Sequence, residues 1–134
     1  MSGRKRGTRH QDQAGATVTV CRGCCCGTAA KHPDVDHDGQ LDQLRRSLAG
    51  AAQVRVSDCL DACDRSNVMV VTPAAAGRRA GGRPVWLGEM LEPASTATLA
   101  RWATAGGPGL ADRPQALDVH YFRPAHIGRP AARR

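Results

Sequence analysis

All six cysteines of this 134-residue chain fall into two short knots, Cys21-Arg22-Gly23-Cys24-Cys25-Cys26 and Cys59-Leu60-Asp61-Ala62-Cys63. Each knot follows a run too short and too β-branched to read as anything but a strand: Ala16 to Val20 before the first, Gln53 to Val56 before the second. Val68 to Thr72 reads as a third strand directly after the second knot. Two groups of thiols, each delivered by a strand end, are distributed as the ligands of one metal centre would be.

Composition makes a cross-link useful. The aromatic inventory is Trp86, Trp102, Tyr121 and Phe122, so the core must be built from Val, Leu and Ala. An Ala-rich core in one domain of this size is marginal, and a bound metal would stabilise it. No apolar run approaches the roughly 18 residues of a membrane span, and no h-region follows Met1-Ser2-Gly3-Arg4-Lys5-Arg6. The expectation is a cytoplasmic protein with no membrane contact, in a compartment where clustered cysteines stay reduced and serve metal binding or redox chemistry.

The net charge of +7 is concentrated at the ends, in Arg4, Lys5, Arg6 and Arg9 and in Arg129, Arg133 and Arg134. Both ends are rich in Gly, Pro and Ala and read as solvated tails. The middle of the sequence has no basic stripe interleaved with aromatics, which argues against nucleic acid, whereas a basic skirt suits an acidic redox partner. The expected organisation is a disordered basic tail over 1–15, a folded domain over 16–106 and a basic Pro/Arg/Ala-rich tail over 107–134.

Between the knots, Asp34-Val35-Asp36-His37-Asp38-Gly39 has the opening of a calcium loop. Arg45 stands where the bidentate Glu would be needed, so these acids are read as caps of the following helix. That helix is expected from about Gly39 to Leu48, with Leu41, Leu44 and Leu48 on one stripe and Gly50 stopping it. Pro73 to Pro84 reads as a turn and Arg83 to Leu87 as a fourth strand. A second helix, capped by Ser95 or Thr96, carries Leu99, Trp102 and Ala103 inward and ends at Gly106-Gly107-Pro108. Residues 117–122 read as an edge strand without an assigned place. The order β-α-β-β-β-α suits an α/β domain with a small four-stranded sheet and two main helices.

Three chemistries compete for the cysteines. A structural zinc site would make the chain a binding module; Cys21/Cys24 has knuckle spacing, while Cys59/Cys63 lies at the edge of the usual range. Thiol-disulfide exchange through Cys21/Cys24 lacks a helix directly after the motif and leaves the second knot without a role. A 2Fe-2S cluster would use four thiolates, two from each knot. His32 and His37, on the same side, could replace a thiolate, but with six cysteines present they read as surface residues.

The pattern Cys21-x4-Cys26, thirty-two residues, then Cys59-x3-Cys63 followed by Val68-Met69-Val70-Val71 resembles the thioredoxin-like 2Fe-2S ferredoxins. These are related to the small 2Fe-2S subunit of respiratory NADH dehydrogenase. The likeness spans roughly Val18 to Gly106. It implies a thioredoxin-like fold and a 2Fe-2S cluster held by Cys21, Cys26, Cys59 and Cys63, with Cys24 and Cys25 as spectators or alternative ligands. It also implies a non-enzymatic carrier of single electrons between redox enzymes or reductases, in a family whose members are often homodimers. Gly23 and Gly27 would let backbone approach the cluster, with Ser57, Ser66 and Asn67 as donors to sulfur. The chain departs from the family at Asn67-Val68, where a proline is common.

Overall fold

The computed structural model describes residues 15–22, 26–60 and 62–124, with Cys63 described through its backbone. Both terminal basic clusters, Gly23, Cys24, Cys25, Asp61, His10 and His126 lie outside the described residues.

Five strands form one mixed sheet in the order β2-β1-β3-β4-β5. They are β1 (Thr17–Cys21), β2 (Gln53–Ser57), β3 (Met69–Thr72), β4 (Val85–Leu87) and β5 (Tyr121–Phe122). β1 and β2 run parallel, with Cys21 opposite Ser57. The β1–β3, β3–β4 and β4–β5 pairs are antiparallel. A parallel pair needs a crossover, supplied by helix α1 (His37–Leu48). A short α2 (Ala75–Arg79) and a longer α3 (Pro93–Thr104) complete the helices.

The strand period of two sorts the sheet into unlike faces. Val18 and Val20 of β1, Met69 and Val71 of β3, and Leu87 of β4 turn toward α1 and α3 and are fully buried with Leu44, Leu48 and Leu99. Ala16, Ala100, Trp102 and Ala103 fill the rest, so Trp102 is core. On the opposite face Cys21, Val70 and Phe122 belong to a second, smaller cluster, with Cys26, Ala62 and Val68 packed over them.

Helix α1 begins where its cap dictates, with the Asp36 carboxylate accepting from Gly39 N at 3.0 Å. The calcium-like acids thus serve a helix terminus.

Several expectations change. The sheet has five strands where four were expected, because 121–122 pairs with β4. The 73–84 turn contains α2, and α3 starts with Pro93 in its first turn, ahead of Ser95 and Thr96, since proline's missing N–H costs nothing there. Residues 107–124, expected as the start of a tail, pack on the domain: Leu117 is fully buried, and Trp102 Nε1 donates to Ala111 O at 2.9 Å. Gly107 adopts φ 72° at the turn that carries the chain back against Ala16. His120, expected in a tail, bridges Ser95 Oγ and Gly88 O at 3.2 and 3.0 Å. Among the described residues no helix is long and apolar enough to cross a membrane.

Candidate metal centre

Because β1 and β2 are adjacent and parallel, both knots leave the same end of the sheet. Adjacent strands lie about 5 Å apart, and Cys21 sits directly opposite Ser57, two positions before Cys59. The β2 loop stays close to the first knot: Cys21 Sγ donates to Asp58 O at 3.8 Å, and Arg22 N donates to Ser57 O at 2.9 Å. Cys59 is exposed. The chain then folds inward, burying Ala62 among Cys21, Cys26 and Val68, and enters a 3-10 turn at Cys63–Arg65. The opposite arrangement, with the two loops on different sides of the molecule, is excluded by this register.

Cys21 and Cys26 are thiols, each 3% exposed. Val68 N donates to Cys26 Sγ at 3.4 Å, so one backbone amide already points at a sulfur. Burial pushes the Cys26 thiol up from 9.0 to about 12. The Val68 amide and the Arg22 cation pull the other way, and the neighbouring Cys21 adds to the rise. A metal would have to displace that proton, and thiolate coordination supplies the driving force.

Arg22 lies between the two cysteines and α1. Its guanidinium donates to Cys21 O at 3.0 Å, His37 O at 3.0 Å and Gln40 Oε1 at 2.9 Å. These acceptors are all neutral. Burial lowers its pKa, while Cys26, Cys21 and Asp38 raise it. Gln40 in turn donates to Met90 O at 2.7 Å, tying the arginine to the segment after β4.

Under the first knot runs a buried polar chain. Gly27, at φ 74°, donates its N–H to Asn67 Oδ1 at 2.8 Å. A backbone N–H can only donate, so this contact fixes the amide, and Asn67 Nδ2 faces His37 Nδ1 at 3.0 Å. His37 Nδ1 is therefore the acceptor, and Nε2 carries the hydrogen to His32 O at 3.1 Å. His32 Nε2 meets Ser66 Oγ at 3.2 Å. The Ser66–Asn67 peptide is cis.

Four site residues thereby differ from expectation. Asn67 spends its amide on Gly27 and His37, Ser66 bonds to His32, and Ser57 Oγ donates to Asp58 O at 2.8 Å; none of these contacts is to a sulfur. His37 is buried at 8% exposure, where a surface residue was expected, because Asn67 and His32 satisfy both ring nitrogens. Among the described residues Cys21 and Cys26 come together, and Cys59 lies on the neighbouring loop. No group of three or more His, Cys, Asp or Glu among the described residues is placed to hold a metal ion. Cys24, Cys25 and the Cys63 side chain fall outside that description.

Sequence reasoning missed Arg22, Gln40 and the Asn67–His37 pair. An arginine inside a cysteine knot is a signal in hindsight, since its charge sits where thiolates would form.

No protein-family model, no curated protein and no solved structure matches the chain.

Proposed function

We propose that the protein is a 2Fe-2S electron carrier of thioredoxin-like architecture, with Cys21, Cys26, Cys59 and Cys63 as the cluster ligands. The observation that carries this reading is the parallel β1–β2 register, which sends both cysteine knots off one end of the sheet. Ligand sites in sheets of this kind lie beyond the carboxyl ends of parallel strands. The thioredoxin-like part draws support from a parallel β-α-β unit followed by antiparallel β3 and β4 and then α3, with α1 and α3 packed together on one face.

The donor set fits the group. Thiolates suit iron-sulfur clusters, and Cys21 and Cys26 are adjacent thiols with an amide directed at one of them. Bound there, the cluster would supply one-electron chemistry that the side chains lack. Four thiolates would bring negative charge into a half-enclosed site. Arg22, whose hydrogen-bond acceptors among the described residues are neutral oxygens, would oppose that charge, and the Val68 amide would do so at Cys26. Gly27 leaves room for Arg22, since a Cβ at that position would collide with the arginine's side chain.

The partners in this reading are redox enzymes or reductases, and the setting is the reducing cytoplasm, where thiols remain available as ligands. Catalytic thiol exchange is disfavoured by the burial of Cys21, because a nucleophilic thiol needs access.

Anaerobically purified protein should be brown, with about two irons and two sulfides per chain, and should give an EPR signal on reduction. Cys59→Ser should abolish or distort that spectrum. Colourless protein carrying about one zinc, or metal-free protein, would overturn the proposal.

A further inference from the structure

Three of the four aromatic side chains converge at the β4–β5 edge, where pairing brings Trp86 to the adjacent Tyr121 and Phe122. Trp86 and Phe122 are paired across the strands and meet edge to face, with centroids 6.1 Å apart at 77°. Tyr121 is 43% exposed beside them. Arginines pin two of these rings: the Arg65 guanidinium lies 4.8 Å from the Phe122 centroid and that of Arg113 lies 4.3 Å from Tyr121. Arg113 is held by Asp118 at 3.1 Å.

These rings line a cavity of about 340 Å³, flanked by Pro84 and Pro124, with Arg83 and Arg123 on its wall. Both arginines are exposed. Neither is paired with an acidic side chain among the described residues. A concave apolar wall with a few placed charges is the usual makeup of a small-molecule site, and this volume lies near the lower end of the roughly 300–1,000 Å³ range. π-faces accept nucleobases, and guanidiniums accept phosphate through paired N–H donors.

We infer that this cavity binds a nucleoside monophosphate, its base against Trp86 and Phe122 and its phosphate between Arg83 and Arg123. The size favours a single nucleotide. Two guanidiniums lining one cavity match a doubly charged terminal phosphate better than the singly charged diesters of a strand. The site uses no sulfur, although Phe122 and Trp86 on its wall also pack against the cluster that contains Cys21 and Cys26.

The test is a fluorescence titration of the full chain with AMP, GMP and UMP. Trp86 lines the cavity while Trp102 is buried in the core at 3% exposure, so a ligand seated here quenches one tryptophan and spares the other. Saturable quenching by at least one of the three nucleotides is expected. Binding at least about tenfold weaker is expected for the matching nucleoside and for ribose 5-phosphate, since each makes half of the contacts. Combined Arg83→Gln and Arg123→Gln should weaken the nucleotide about tenfold or more and leave the nucleoside unchanged. Trp86→Phe should remove the quenching, with nucleotide binding still measurable by equilibrium dialysis.

No saturable response to any nucleotide up to roughly 10 mM overturns the inference. Equal affinity for ribose 5-phosphate or inorganic phosphate overturns it by reducing the site to a generic anion patch. Tighter binding of a single-stranded oligonucleotide than of its own monomer overturns it in favour of a strand-binding surface.

Discussion

Cys26 places a titratable sulfur where solvent scarcely reaches, at 3% exposure, and folding therefore holds its proton more tightly than the unfolded chain does. The thiol's value rises from 9.0 to about 12, chiefly through burial. Between those values the folded metal-free protein binds more protons than the unfolded one, so stability falls as pH rises through that window. Below pH 9 the contribution is intact. Urea midpoints of metal-free wild type and Cys26→Ser, compared across the alkaline range, should diverge in slope, with the wild type losing stability faster. Parallel curves would mean that the sulfur is hydrated after all. Lysines and tyrosine titrate in both proteins and cancel in the comparison. The Val68 amide, 3.4 Å from this sulfur, is the backbone group that would stabilise the anion if a metal took the proton's place.

Elements differ in how much of themselves they write into the sequence. Helix α1 is legible because Asp36 caps it and Leu44 and Leu48 recur on one side, both fully buried. β1 to β3 are legible from β-branched runs, whereas that both knots leave one end of the sheet is shown only by the parallel β1–β2 register. The start of α3 is not legible in this way: Ser95 and Thr96 are good caps in isolation, and only the fold selects Pro93. β5 has two residues, too few for any periodicity, and its pairing with β4 supplies the signal that the sequence lacks. At the site, the cysteines announce themselves by clustering. Asn67 does not, because its partners His37 and Gly27 lie 30 and 40 positions away. The segment 107–124 is misread for a compositional reason: Gly and Pro at its start resemble a linker, and its fully buried anchor, Leu117, belongs to no periodic apolar run that would mark it as core. Leu117→Ala should lower unfolding free energy by about 2–5 kcal/mol, the cost of a leucine cavity in a packed core. Denaturant titration measures it, and a loss within about 0.5 kcal/mol, as for a surface position, would return the segment to the status of a tail.

At the scale of the molecule, the two hydrophobic clusters divide the work. The larger one, between the sheet and the helices α1 and α3, contains no cysteine and should hold the fold without a metal. The smaller one is built from Cys21, Cys26, Ala62, Val68, Val70 and Phe122, so its order depends on what the sulfurs are doing. Removing a bound metal should therefore loosen one end of the sheet and spare the other. Two amides report on the cysteine end, Cys21 N bonded to Val68 O at 3.0 Å and Arg22 N bonded to Ser57 O at 2.9 Å. One reports on the far end, Gln53 N bonded to Ala16 O at 2.9 Å. Hydrogen exchange after chelation should accelerate at the first two and change little at the third, with the helical far-UV signal retained, because local opening there no longer has to break metal–sulfur bonds. Acceleration of all three by the same factor would mean that the metal stabilises the whole domain as one cooperative unit. The cysteine-free core would then be too weak to stand alone, and the division between the two faces of the sheet would have no energetic meaning.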